Sequence, residues 1–285
     1  MPTVTSNGVE VPFDARHFAA LTDSTYRRRD PAALRERYGC DGYLFLRSVI
    51  EPERLRRLAA DYFGAFDPSY LDGHHPPEAG IFSGHRPNDL PAHGTVGHPA
   101  HDFVRTAAFA ELAHDPDLTD LATTVLDAPC RILPRKIVRH FDRSTRRASR
   151  AHSDHRYLNE GSDQLLTMWI PLTDTPLATG GLIYLEDSED LDPSELDRLS
   201  QVSDRPNDQR SISHNLAWVA EQLGRRWLWA DFRAGDIALH SPRVVHASLD
   251  TSTDAMRLSA DLRFLVVGEE ADPRWLQAWA GDDGY

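Results

Sequence analysis

One segment, 235-GDIALHSPRVVHASLDTSTDAMRLSADLRF-264, carries the strongest strand pattern in this sequence. Short apolar runs alternate with polar residues and are separated by proline, serine and aspartate turns, which is typical of β-strands. Four further runs of this kind lie upstream, at 130–141, 164–175, 181–188 and 227–234. Many short strands at close spacing in one unit predict a β-sandwich, a jelly roll or a barrel.

The N-terminal half adds helices to this predicted core. Residues 42–50 form a short apolar run that predicts one more strand. Residues 51–63 predict a helix, because apolar residues repeat at every third and fourth position and Pro52 lies near the first turn. The same spacing returns over residues 102–127. We therefore expect an all-β core with flanking helices in a single domain spanning 1–285.

Three segments lack a clear strand or core pattern. Residues 1–30 are polar and predict a loosely attached lead-in. Residues 66–100 are rich in glycine, proline and histidine, and they predict a long loop of the kind that often covers a functional site. Residues 190–225 predict a polar, helix-prone insertion between strands. We expect the last two segments to act as lids that choose the substrate.

Composition narrows the classes of partner. The chain of 285 residues has 31 basic and 44 acidic residues and a net charge of −13, which argues against nucleic acid and anionic membranes. A small molecule, neutral or cationic, suits this charge better. Two distant cysteines and the absence of a signal-like or membrane-spanning run indicate a cytoplasmic protein, monomeric or homodimeric. Lys136 is the only lysine, a usage typical of high-GC bacterial genomes.

The sequence 152-HSD-154 is a candidate half of a metal site. Residues two apart in an extended chain point to the same side, so His152 and Asp154 can reach one metal ion. One more histidine completes the 2-His-1-carboxylate set of non-haem Fe(II) oxygenases. The motif is weak alone, because the chain has 14 histidines and 44 acidic residues and His140-Phe141-Asp142 also matches. A solvated loop pair is the alternative.

The segment quoted first offers two candidates for the remaining ligand, His240 and His246. His246 is followed two residues later by Ser248 and eleven residues later by Arg257, whereas His240 has no such neighbours. On the same predicted strand, a charged face alternates with an apolar one, at Arg257, Ser259, Asp261 and Arg263. Such a face is costly inside a protein unless it lines a cavity that holds a polar partner. A dicarboxylate pairing with Arg257 would be such a partner.

Residues 38–268 resemble the phytanoyl-CoA dioxygenase family of Fe(II)/2-oxoglutarate-dependent oxygenases. The resemblance is carried by 42-GYLFLRSVIEPERLRRL-58, by 152-HSD-154 followed by Trp169, and most specifically by His246-x-Ser248 with Arg257. It implies a double-stranded β-helix, a jelly roll of the cupin-like kind. It also implies Fe(II), 2-oxoglutarate and O2 as cofactor and cosubstrates, with ascorbate as reductant in vitro.

The resemblance further assigns candidate site residues. It implies His152, Asp154 and His246 as metal ligands, and Arg257 and Ser248 as contacts of the far carboxylate of 2-oxoglutarate. Further candidates for the cosubstrate, on the strand before the first ligands, are Lys136, Arg135 and Arg139. Candidates for substrate contact are Trp169, Arg156 and Tyr157. The family's Ser-His ending is absent from 179-TGGLIYLEDSED-190, so the substrate of better-known members does not transfer.

The implied function is the oxidation of an unactivated C–H bond of a small molecule. The retained carboxylate of Asp154 favours hydroxylation, desaturation or oxidative ring closure over halogenation, in which a small residue replaces it. The composition suggests a tailoring step in bacterial secondary metabolism such as antibiotic biosynthesis. Two alternatives are a jelly-roll metalloenzyme without 2-oxoglutarate, such as a hydrolase or isomerase, and a non-enzymatic jelly roll that binds a small molecule.

Overall fold

Two facing β-sheets form the centre of the structure, a computed structural model that describes residues 2–145, 148–203 and 210–280. The strands are β1 (Thr3–Ser6), β2 (Val9–Pro12), β3 (Phe18–Ala20), β4 (Tyr43–Leu46), β5 (Cys130–Ile132), β6 (Ile137–Phe141), β7 (His152–Ser153), β8 (Leu165–Pro171), β9 (Leu182–Leu185), β10 (Trp227–Trp229), β11 (Ile237–His240), β12 (Val245–Ser248) and β13 (Arg257–Val266). The helices are α1 (Pro31–Asp41), α2 (Pro52–Phe63), α3 (Ala100–Phe103), α4 (Ala107–Ala113), α5 (Pro116–Leu126), α6 (His155–Leu158), α7 (Pro193–Val202) and α8 (Leu216–Leu223).

The larger sheet has the strand order β4-β11-β8-β13-β5, with β6 also paired to β13. The smaller sheet has the order β3-β10-β9-β12-β7, and β1 and β2 form a separate hairpin. Strands adjacent in each large sheet come from distant parts of the sequence, as in a jelly roll. The predicted all-β core with flanking helices, a cupin-like double-stranded β-helix, is confirmed.

Alternation along the strands divides the apolar residues into three layers. The outer face of the larger sheet packs against helices α1 to α5, through residues that include Leu34, Leu55, Phe103, Phe109, Leu118, Met168 and Leu262. The outer face of the smaller sheet packs against α7 and α8, through residues that include Ile183, Leu199, Leu216 and Val245. Between the sheets, Tyr43, Phe45, Trp169 and Tyr184 form a smaller cluster. The rest of this inner space is lined by polar side chains.

The predicted loose attachment of residues 1–30 is wrong. Strand β3 pairs in parallel with β10, and Val11 in β2 is fully buried against the smaller sheet. The hydroxyl of Ser6 donates a hydrogen bond of 2.9 Å to the carbonyl of Ser248 in β12. These strands have three or four residues each, which is too short for an alternating pattern to stand out from a polar sequence.

Helix α1 was not predicted, because Leu34 is its only buried residue and leaves no apolar stripe. Its ends are nevertheless well defined. Asp30 accepts a hydrogen bond from the backbone N–H of Ala33, and Gly42 ends the helix with a φ of 72°. A Cβ on Gly42 would lie 2.5 Å from Cγ2 of Val244, so the turn into β4 requires glycine.

The two predicted insertions differ in structure. Residues 66–100 contain two short 3-10 helices, Pro68–Tyr70 and Pro77–Ala79, and are otherwise irregular. Residues 190–225 contain α7 and α8, whose buried leucines join the layer outside the smaller sheet. Among the described helices, none combines the length and apolarity needed to cross a bilayer.

Candidate metal centre

The three predicted metal ligands meet at one end of the space between the sheets. Strands β7 and β12 pair in antiparallel fashion with His152 opposite His246, and Asp154 follows directly after β7. One ligand atom from each residue lies within 4.8 Å of the others. Oδ1 of Asp154 is 3.9 Å from Nε2 of His152 and 3.8 Å from Nε2 of His246. These atoms can therefore bind one ion together.

Backbone hydrogen bonds fix the tautomer of both histidines. Nδ1 of His152 donates to the carbonyl of Arg150 at 2.6 Å, and Nδ1 of His246 donates to the carbonyl of Val244 at 3.0 Å. Because a carbonyl can only accept, each ring presents an unprotonated Nε2 to the cluster. Burial lowers the pKa of His152 and holds the pKa of His246 well below its usual value. Both rings are therefore in the form that binds metal.

The second oxygen of Asp154 is held by the larger sheet. The hydroxyl of Thr167 donates to Oδ2 at 2.6 Å, and Nη2 of Arg263 donates to the same oxygen at 3.2 Å. Burial raises the pKa of this carboxyl, but the Arg263 guanidinium together with the neighbouring His240 and His246 outweighs burial and holds the pKa of Asp154 well below its usual range. The carboxylate thus stays ionised, and its Oδ1 is available to bind a metal ion.

Replacement of Thr167 by valine should weaken metal binding roughly tenfold, because groups that orient a ligand typically contribute 10- to 100-fold to affinity. The measurement is the dissociation constant for Fe(II) or Co(II) under anaerobic conditions. Thr251→Val is the matched control, since Thr251 is also buried but its hydroxyl donates to the carbonyl of Thr179. Equal affinities in the two variants would refute a positioning role for Thr167.

A cavity of about 30 Å³ adjoins the triad on the side of Arg257. Arg257 is 2% exposed, and Nη1 donates to the carbonyl of Gly180 at 2.9 Å. Its Nε has no hydrogen-bond partner among the described residues, and neither has the indole Nε1 of Trp169. Burial lowers the pKa of Arg257 to about 10. A buried cation with so few partners is costly, so this arrangement favours an anionic ligand.

These groups fit Fe(II) and 2-oxoglutarate. Two imidazole nitrogens and one carboxylate oxygen are the protein ligands of non-haem Fe(II) oxygenases and leave positions for other ligands. The unpaired N–H groups of Arg257 and Trp169 lie beside them and suit a carboxylate. The donor set and the orphaned donors therefore match a metal ion and a chelating dicarboxylate.

The other predicted cosubstrate contacts lie in different places. Arg139 lines the small cavity and pairs with Asp261, through Nε and Oδ2 at 3.2 Å. Arg135 and Lys136 line neither cavity, and Nε of Arg135 donates to the carbonyl of Arg274. Ser248 also lies outside both linings, and its Oγ accepts the N–H of Ser149 at 2.7 Å. Of this group, only Arg139 is placed to reach a ligand in the cavity.

A cavity of about 1160 Å³ adjoins the small one. The two share a wall of five residues, Arg139, Ser149, His152, Asp154 and Arg263. The 66–100 segment supplies much of the large cavity's remaining wall, and the 190–225 segment supplies Ser211 and His214. The metal cluster therefore lies where the two cavities meet.

The three residues predicted to contact the substrate lie in different places relative to the two cavities. Tyr157 lines the large cavity, and its ring centroid is 5.4 Å from that of His152. Trp169 lines only the small cavity. Arg156 lines neither cavity and forms an ion pair with Asp197. Tyr157 is thus the one of the three that faces the larger space.

Sequence reasoning missed two groups beside the triad. Thr167 and Arg263 were given no role, although the alternating polar face of β13 included Arg263. His240, the rival for the third ligand position, also lines the small cavity. Its Nε2 is 3.7 Å from Oδ2 of Asp154, and its Nδ1 is 2.9 Å from the hydroxyl of Tyr184. It lies next to the cluster without being part of it.

The second H-x-D string ends β6, as predicted, and belongs to the wall of the large cavity. His140 is buried, with Nδ1 3.1 Å from the hydroxyl of Tyr62. Asp142 accepts hydrogen bonds from the hydroxyl of Tyr70 at 2.5 Å and from Nη1 of Arg86 at 3.2 Å. Its oxygens therefore have partners within the protein and do not join the metal cluster.

The buried wall histidines predict loss of stability in acid. Burial lowers the pKa of His98 to about 4 and of His140 to about 3, against about 6.5 in an unfolded chain. Below pH 6.5 these histidines bind protons in the unfolded chain but stay neutral in the folded one. Stability is therefore full above that pH and falls toward pH 4. Between pH 7.5 and 5.5 we expect the free energy of unfolding to drop by about 1.3 kcal/mol per histidine.

Urea denaturation of the metal-free protein at both pH values measures this drop. His98→Asn keeps an acceptor for the N–H of Ala100, which now bonds Nδ1 of His98 at 3.2 Å, and removes the titration. The variant should show a drop smaller by about 1.3 kcal/mol. An identical pH dependence in variant and wild type would show that His98 does not titrate as described.

Comparisons with known proteins identify relatives of this chain by sequence and by fold. The chain is 25% identical over 271 residues to the 1-deoxypentalenic acid 11-β-hydroxylase of Streptomyces arenae. This alignment covers 92% of this chain and 90% of that protein. Its fold is similar to that of the epimerase SnoN in complex with Fe3+, α-ketoglutarate and nogalamycin RO (TM-score 0.59, 20% identity, 86% of this chain and 88% of that one). It is also similar to the α-ketoglutarate-dependent carbocyclase SnoK of nogalamycin biosynthesis (TM-score 0.58, 19% identity, 89% and 90%).

The family profile of phytanoyl-CoA dioxygenase (PhyH) matches residues 38–259, which is most of the chain and includes the three clustered ligands and Arg257. The chain therefore belongs to the phytanoyl-CoA dioxygenase family of Fe(II)- and 2-oxoglutarate-dependent oxygenases.

Proposed function

We propose that this oxygenase oxidises an unactivated C–H bond of a small molecule held in the large cavity. One observation carries the proposal: the ligand atoms of His152, Asp154 and His246 converge where that cavity meets the small cavity beside Arg257. A substrate in the large cavity would lie beside the residues that would hold the metal, and Arg257 would bind a carboxylate of 2-oxoglutarate. Hydroxylation, desaturation and oxidative ring closure are the outcomes that the retained Asp154 carboxylate favours.

Each residue has a distinct task in this proposal. His152, Asp154 and His246 hold Fe(II), and Arg257 pairs with the far carboxylate of 2-oxoglutarate. When bound, the metal and cosubstrate supply the activation of O2. Trp169 lines the small cavity and offers its unpaired indole N–H to the cosubstrate. The 66–100 and 190–225 segments cover the site as lids and select the substrate.

The size of the large cavity supports a bulky substrate. Typical ligand pockets measure about 300–1,000 Å³, and this one reaches about 1160 Å³. A multi-ring metabolite would fill it. The relatives named above include a hydroxylase, an epimerase and a carbocyclase, two of them from nogalamycin biosynthesis. We propose a tailoring step in bacterial secondary metabolism, carried out in the cytoplasm by a monomer or homodimer.

The two alternative functions are less consistent with these findings. A jelly-roll hydrolase or isomerase has no use for a buried arginine with an unpaired Nε beside its metal. A binding protein without catalysis has no need for neutral Nε2 atoms and an ionised carboxylate held ready for an ion. Membership of an oxygenase family argues against both.

Succinate formation tests the proposed function. Purified protein is incubated with Fe(II), 2-oxoglutarate, ascorbate and O2, and succinate is followed with and without multi-ring metabolites. We expect slow succinate release alone and faster release with a substrate. His246→Ala should abolish both rates. Succinate release that is equal in wild type and His246→Ala would contradict the assignment of the metal centre.

A further inference from the structure

The wall of the large cavity is cationic in a strongly acidic protein. The charged residues among its described lining are four arginines and two aspartates, whereas the whole chain has 31 basic and 44 acidic residues. A cavity with low-dielectric walls and one excess sign of charge concentrates small molecules of the opposite sign. The charge of the cavity wall is thus opposite in sign to the net charge of the chain, and the substrate would contact the cavity wall.

Three of the four arginines have acidic partners. Arg86 pairs with Asp142 at 3.2 Å, Arg139 with Asp261 at 3.2 Å, and Arg263 with Asp154 at 3.2 Å. The side chain of Arg150 is partly buried in the cavity wall and has no hydrogen bond or ion pair with any described residue. Arg150 therefore adds one positive charge to the wall of the cavity, without a counter-ion among the residues that the structure describes.

Both acidic side chains in the described part of this wall, Asp142 and Asp154, already have partners and offer little to a cationic substrate. Besides its bonds to Tyr70 and Arg86, Asp142 accepts the N–H and hydroxyl of Ser144. Asp154 is committed to Thr167, Arg263 and the metal cluster. The wall histidines His93 and His98 have pKa values lowered by burial, so they offer hydrogen bonds to neutral groups without adding charge.

Arg150 also lies close to the metal centre. It precedes His152 by two residues, and its carbonyl accepts the hydrogen bond that orients that ring. A ligand paired with its guanidinium would therefore lie within the reach of one arginine side chain from His152. An arginine suits a carboxylate because the planar guanidinium presents two parallel N–H donors.

We propose that the large cavity takes an organic anion, and that Arg150 anchors its acidic group beside the metal centre. The substrate class is then a bulky organic acid, which reverses the preference for neutral or cationic molecules suggested by the net charge. The inference rests on the proposed function, because it treats the large cavity as the substrate site. Arg150 is thus a specificity-determining residue on the loop before β7.

A pair of fluorescent probes with one skeleton tests this anchor without knowledge of the substrate. The anion is 8-anilinonaphthalene-1-sulfonate and its neutral counterpart is N-phenyl-1-naphthylamine. Both are titrated anaerobically into protein loaded with Fe(II) and 2-oxoglutarate. The wild type should bind the anion more tightly. Arg150→Met should weaken the anion roughly tenfold or more, the loss of one charge-assisted pair, and change the neutral probe less than twofold.

Arg156→Met is the matched control, because Arg156 is a nearby arginine that lines neither cavity, and it should leave both probes unchanged. Three results would overturn the inference: no preference for the anion, no binding of either probe, or equal weakening of both probes by Arg150→Met. Binding of Fe(II) and 2-oxoglutarate is recorded separately in each variant. Failure of that binding would count against the proposed function, whereas normal binding without anion selectivity would count against Arg150 alone.

Discussion

Arg257→Met should raise the dissociation constant for 2-oxoglutarate by at least roughly 30-fold, because truncation of one partner of a buried charge pair costs about 2–5 kcal/mol. The affinity for Fe(II) should change little, since Arg257 forms no hydrogen bond or ion pair with the three metal ligands. Stability should not fall. The arginine is buried with an unpaired Nε, and an apolar side chain of similar length is tolerated well in such a place.

Anaerobic titrations with Fe(II) and then 2-oxoglutarate separate these effects, and urea denaturation measures stability. Arg56→Met, on the exposed side of α2, is the control for loss of an arginine. Equal losses of iron and cosubstrate would indicate that Arg257 has a structural role. A large loss of stability with unchanged cosubstrate affinity would contradict its assignment altogether.

Asp154→Asn should abolish turnover, with a fall of at least roughly 1,000-fold, because it removes the anionic ligand that metal catalysis requires. It should also destabilise the protein by about 3 kcal/mol, since it leaves the Arg263 guanidinium buried without its carboxylate. Metal content and urea denaturation measure the two losses independently.

The double variant Asp154→Asn with Arg263→Met distinguishes the ligand from the ion pair. Removing both members of the pair should recover most of the lost stability, because no buried charge is then left unpaired. Metal binding should remain lost. Recovery of metal binding in the double variant would show that Asp154 acts through Arg263 and not as a ligand.

The sequence predicted the parts of the site that follow from local periodicity and from spacing. His152 and Asp154 lie two apart in an extended segment, and the spacing of His246 and Arg257 resembled a known family. The polar face of β13 was visible as an alternation, and Arg257, Asp261 and Arg263 of that face line the small cavity. Arg135, Lys136 and Ser248 were also predicted from their positions in the sequence, yet the structure places them outside both cavities. Sequence position alone does not show how a side chain packs against distant elements.

The unpredicted features depend on pairing between distant segments. The contact of Thr167 and Arg263 with Asp154 requires β8 and β13 to pair in the register that places residue 167 opposite residue 263. Strand β3 is recognisable only from its pairing with β10, some two hundred residues later. The charge of the large cavity follows from residues of several loops and strands. Net composition gave the opposite expectation, because most acidic residues lie elsewhere.

An anaerobic titration of the metal-free protein tests the central claim most directly. Fe(II) is added first, then 2-oxoglutarate, and the visible absorption of the chelated complex is followed. We predict one Fe(II) and one 2-oxoglutarate per chain, with the absorption band absent from His246→Ala and shifted to much higher 2-oxoglutarate concentrations in Arg257→Met. A band of unchanged strength and affinity in both variants would contradict the assignment of the triad and its neighbouring arginine.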